Sequence, residues 1–108
     1  MSDSGLIALS DRLREFADAR DWEKFHTPKN LSSALSVEAS ELLEIFQWLT
    51  PEESSEVMAD DKNRAAVLDE MADVLIYLVR MADVLDVDLV VAANAKVSRN
   101  ETRFPLGK

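Results

Sequence analysis

Apolar residues return along this chain with the ~3.6-residue period of an α-helix. Leu6, Leu9, Leu13 and Phe16 share one face of a first segment, and Leu31, Leu35, Leu42, Ile45 and Leu49 share one face of a second. Strands would alternate with period 2 instead. Helix-start signals punctuate the pattern. Thr27-Pro28 offers Thr as N-cap and Pro at the first helical position, and Thr50-Pro51 repeats the signal with Glu53 placed for a capping box. The predicted fold is therefore all-α, of four-helix-bundle type. The main helices are expected from about Ser4 to Ala19, from Pro28 to about Leu49, from Asp60 or Asp61 to about Leu85, and from an Asp88 cap to about Thr102. A short helix or turn opens at Thr50, and the tail "RFPLGK" is expected to fray or dock irregularly. With 108 residues and no internal boundary, residues 1–108 read as one domain.

Composition supports helices and narrows the chemistry. Two glycines, three prolines and 6% aromatics disfavour a turn-rich β fold, while 47% hydrophobic residues are too many for a disordered chain. Without cysteine, any metal must be held by oxygen or by the lone His26. A net charge of −9 disfavours nucleic-acid backbones and anionic lipid as partners. The N-terminal "MSDSGLIALSDRL" lacks the basic and apolar regions of a signal peptide, and the run "VLIYLV" is far too short to span a bilayer. A cytoplasmic location is expected.

The third helix is apolar nearly all round. Val67, Val74, Leu78, Met81 and Leu85 form one stripe, while Leu75, Ile76 and Val79 fall on other faces. Such a helix is normally buried on every side, which four helices of this size cannot provide. A homo-oligomer, dimer or tetramer, is the expected remedy.

Two acidic pairs break the apolar faces. Glu38 falls inside the stripe of the second helix, with Glu41 one turn on, and Glu70 lies on the apolar side of the third helix, with Asp73 one turn on. If the stripes pack together, the four carboxylates converge, with Glu44 near enough to assist. An ionised carboxylate in an apolar seam is costly unless paired. Converging acids either rise in pKa or bind cations, and hard oxygen ligands suit Mg²⁺, with Mn²⁺ also possible. Ordinary acids paired with lysine or arginine at a core edge are the competing reading. A di-iron carboxylate site would need Glu-x-x-His pairs, and His26 is not in that setting.

Lys96, Asn100 and Arg103 share one face of the fourth helix, with Arg99 at its edge, and suit phosphate oxygens as well as they suit a helix C-terminus. Trp22, His26, Trp48 and Tyr77 include aromatics beside loops that belong either to the core or to a platform for a nucleobase.

From "DWEKFHTPKNL" through "EASELLEIFQW" and "DEMADVLIYL" to "KVSRNETRFP", the chain resembles the MazG-like all-α nucleoside triphosphate pyrophosphohydrolases, the dCTP pyrophosphatase branch in particular. The family's E-x-x-E, spacer, E-x-x-D pattern is met by Glu38, Glu41, Glu70 and Asp73. The resemblance implies Mg²⁺-dependent cleavage of a nucleoside triphosphate, dCTP or a related deoxynucleotide, to monophosphate and pyrophosphate. It gives Glu38, Glu41, Glu70 and Asp73 catalytic and metal-binding roles. It places Lys96, Asn100 and Arg103 at the phosphates, and Trp22, His26, Trp48 and Tyr77 near the base. Phe104 departs from the pattern where an aromatic hydroxyl is common. A non-catalytic nucleotide-sensing or helical oligomerisation module is the alternative.

Overall fold

The computed structural model describes residues 4–107; Met1 to Asp3, where the signal-peptide reading began, and Lys108, the end of the tail, lie outside them. The described chain is all-α: α1 (Ser4–Ala19), α2 (Pro28–Phe46), α3 (Pro51–Ser55), a 3₁₀ turn (Val57–Ala59), α4 (Asp61–Leu85) and α5 (Leu89–Arg103).

The starts follow local chemistry. The Thr27 hydroxyl accepts from the Asn30 amide, and the carboxylates of Asp60 and Asp88 accept from the amides of Asn63 and Val91. At α3 the capping box is complete, with Thr50 and Glu53 bonded reciprocally. α2 ends earlier than its apolar stripe implies, with Gln47 as its C-cap, so Trp48 and Leu49 leave the helical wheel. Asp86 closes α4 in the left-handed region at φ 56°, a conformation that Asp tolerates better than most residues. The tail after Arg103 leaves the helix at Phe104.

α4 is the central element: α2 packs along it, α1 lies against it and the 3₁₀ turn rests on it. Ile7 and Ser10 share a small cleft with Asp86 and Val87, whereas Phe16 and Ala17 meet Asp73 and Tyr77, so α1 runs antiparallel to α4. The buried apolar residues are few: Ala17, Leu31, Val57, Val67, Val79 and Ala82.

The apolar stripe expected on α4 is only partly covered within the chain. Val79, assigned to another face, is fully buried, while Leu78 and Leu85 are exposed. Leu78 instead joins Leu68, Met71 and Leu75 in an open stripe at alternating three- and four-residue spacing, with Leu85 seven residues further on the same face. Ile76 lines a cavity between α1 and α4. The molecule is also open in shape. Its radius of gyration of 16.8 Å exceeds the ~13 Å of a compact chain of about this length. Its surface of 7982 Å² exceeds the ~6,000 Å² of a folded monomer of about this mass. α5 buries none of its residues. Among the described residues, no helix is long and apolar enough to cross a membrane.

Candidate active site

Glu38 and Glu41 lie one turn apart on α2, and Glu70 faces them from α4. One carboxylate oxygen from each lies within 4.8 Å of the others. Oε2 of Glu38 and Oε2 of Glu70 are buried without a hydrogen-bond partner among the described residues. Leaving such an acceptor unmet is normally unfavourable. Burial first, then the contacts with Glu70 and Glu41, pushes the Glu38 carboxyl up to about 7. Glu70 is raised as well, again chiefly by burial.

Among the described residues, no Lys or Arg is paired with these acids, and the ion pairs lie elsewhere, on Asp11, Asp21 and Asp83. The core-edge salt-bridge reading therefore lacks its partner. Three hard oxygen donors with two unmet buried acceptors are the donor set a Mg²⁺ or Mn²⁺ ion would satisfy.

Asp73 is not part of the tight group, so three carboxylates converge rather than four. It lines the adjoining cavity, and its charge adds to what raises Glu38 and Glu70. Glu44 also lies outside the group.

That cavity, of about 380 Å³, is walled by Leu9, Leu13 and Phe16 of α1 and by Asp73, Ile76, Tyr77 and Arg80 of α4, with Trp22 and His26 from the loop between α1 and α2. Trp22 is set edge-on to Phe16 at 5.5 Å and to His26 at 6.3 Å. Trp22, His26 and Tyr77 are thus brought together beside Asp73. Trp48 is not: it is 86% exposed and absent from the cavity wall. Lys96 and Arg103 are exposed on α5, and neither they nor Asn100 line the cavity. The Arg103 guanidinium lies over the Phe104 ring at 5.1 Å.

Sequence reasoning missed Arg80. It is buried, its Nε donates to Nδ1 of His26 at 3.0 Å, and its Nη1 donates to Asp83 at 2.7 Å. Its signal was a single cation closing the run "VLIYLVR". Such a residue needs buried partners.

A helical scaffold with an acidic centre that could hold a metal ion, beside an aromatic cavity, defines the class of this protein. The MazG-like family model matches residues 33–108, and the chain belongs to that family. dCTP pyrophosphatase 1 of Rattus norvegicus is 47% identical over 92 residues, 85% of this chain and 54% of that protein. The Homo sapiens protein of the same name is 47% identical over 91 residues, 84% of this chain and 54% of its own. The chain spans about half the length of the curated relatives it matches. A pyrophosphatase from Archaeoglobus fulgidus, known by crystal structure, has a TM-score of 0.87 at 42% identity, covering 97% of this chain and 96% of that one.

Proposed function

We propose that residues 1–108 form one catalytic domain that hydrolyses a deoxynucleoside triphosphate, dCTP or a close relative, to the monophosphate and pyrophosphate. The observation that carries this reading is the pair of buried, unpartnered oxygens on Glu38 and Glu70 beside an aromatic-walled cavity. Glu38, Glu41 and Glu70, with Asp73 at the cavity side, would hold Mg²⁺ against the triphosphate. When bound, the ion supplies charge neutralisation and Lewis acidity at the phosphates. Glu41 would orient the attacking water and accept its proton as the water lines up with phosphorus. Trp22 and Tyr77 would flank the base, with His26 at its edge. Lys96, Asn100 and Arg103 would stabilise charge on the departing pyrophosphate. Because α5 stands away from the cavity, that last role needs a homo-oligomer in which a basic helix meets an acidic centre.

The names of the relatives support dCTP as the first substrate to try. A pyrophosphate-release screen across the common ribo- and deoxyribonucleoside triphosphates, with Mg²⁺ and with chelator, tests the proposal. Metal-dependent release peaking on a deoxycytidine nucleotide is the expected result. Metal-dependent binding without release would make the chain a nucleotide-sensing module, and neither binding nor release would leave a structural bundle.

A further inference from the structure

The cavity is linked to a chain of charged groups that the proposed reaction does not use. Arg14 of α1 grips Asp83 with two bonds, Nε to Oδ2 at 3.0 Å and Nη2 to Oδ1 at 2.6 Å. Asp83 accepts in turn from Nη1 of Arg80 at 2.7 Å, and Nε of Arg80 donates to Nδ1 of His26 at 3.0 Å. α1, α4 and the loop before α2 are thereby tied through four side chains. The Arg14 bonds hold the Asp83 carboxylate below its ordinary pKa, so it stays ionised and keeps the buried guanidinium in place.

The last bond determines the state of the imidazole. A guanidinium has donors only, so a nitrogen that receives its N–H cannot itself carry a proton. Nδ1 of His26 must be bare, and the ring's one proton must sit on Nε2. Burial, and next the charge of Arg80, lowers the pKa of His26 and favours this neutral form. Nε2 finds no acceptor among the described residues, while the ring lines the cavity.

We propose that Arg80 is a positioning residue that holds His26 in its Nε2–H tautomer, so that the cavity offers a hydrogen-bond donor and selects a base whose facing edge carries an acceptor. A pyrimidine carbonyl oxygen or an unprotonated ring nitrogen meets that requirement; an amino group at the same place does not. The specificity half of this inference rests on reading the cavity as the base pocket, whereas the tautomer itself does not.

His26 is the only histidine, so its two ring nitrogens can be assigned without ambiguity by long-range ¹⁵N–¹H correlation on the whole chain at pH 7.5. The expected spectrum shows a protonated Nε2 and a bare Nδ1. A protonated Nδ1, in either the other tautomer or the imidazolium, overturns the proposal. In Arg80→Met the single tautomer should give way to a mixture. With dCTP and Mg²⁺, KM should rise about three- to tenfold, the size of one neutral hydrogen bond, while kcat changes less than about twofold because the reacting phosphates are untouched. A structural role alone would lower the melting temperature and leave both KM and the tautomer as they were, which also overturns the proposal. If Arg80→Met does not fold, the spectrum of the unchanged protein still decides. A protein that turns over no triphosphate would refute the proposed reaction, and the histidine spectrum would still report on Arg80.

Discussion

Glu38 and Glu70 each bury a carboxylate oxygen in the seam between α2 and α4, where no group of the described chain donates to it. A fold optimised only for stability would not keep two such acids together. Glu38→Gln should therefore cost more activity than the about 10–100-fold lost when merely the outer support of a metal ligand is removed. In chelator the same variant should melt no lower than the unchanged protein, because repulsion is relieved. Retained turnover with a lowered melting temperature would show a structural acid.

The raised pKa of Glu38 carries a sign that can be tested. With the folded value near 7 and the unfolded value in the ordinary carboxylate range, the folded state holds the extra proton between the two. Stability without metal must then fall as pH rises across that window and level off above about 7. His26, lowered in the folded state, works the other way below its ordinary value, so a raw melting curve mixes the two. The difference between the unchanged protein and Glu38→Gln removes His26 from the comparison. The advantage of Glu38→Gln in chelator should grow from pH 5 to pH 7.5. A constant or shrinking advantage would contradict the raised pKa.

Trp22 stands in the cavity wall edge-on to His26. Trp22→Ala should raise KM by the equivalent of about 1–3 kcal/mol, the loss of one stacked base, with kcat largely kept. Steady-state kinetics with dCTP checks this. An unchanged KM in a folded variant would return Trp22 to a packing role.

The open stripe of Leu68, Met71, Leu75, Leu78 and Leu85 on α4 is the surface expected to close in a homo-oligomer. Light scattering at micromolar concentration should give a dimer or larger. Leu75→Asp should shift the protein toward monomer, because an unpaired charge placed in an apolar interface costs several kcal/mol, roughly. Ile76 is a poor choice for this test, since it faces the cavity. A monomeric unchanged protein would refute the assembly.

Sequence made some of this legible and hid the rest for physical reasons. Caps at Thr27, Thr50, Asp60 and Asp88 are local chemistry, a side chain reaching an amide three residues on, and could be read from a few letters. The inward turn of Glu38 was visible because α2 has one clear apolar stripe. α4 has no such contrast, so its wheel could not tell which apolar face meets the core: Val79, off the expected stripe, is fully buried, whereas Leu78 and Leu85 on it are exposed. The helical wheel of α2 was carried to Leu49, past Gln47, where the helix ends. Arg80 required the third dimension: its partners lie 54 residues away in His26 and three away in Asp83.

α5 carries Lys96, Asn100 and Arg103 yet buries none of its 15 residues. Helices shorter than about 12–15 residues are only marginally populated in water when nothing packs on them. Its order would then be borrowed from association. Specific activity should bend downward on dilution, and α5 amides should be the first in the chain to exchange with deuterium. Dilution-independent activity with well-protected α5 amides would show a helix that supports itself. If the borrowing holds, the grip on a triphosphate scales with the protein's own abundance, and a cell holding few copies has almost none of the activity that the same number of assembled copies would supply.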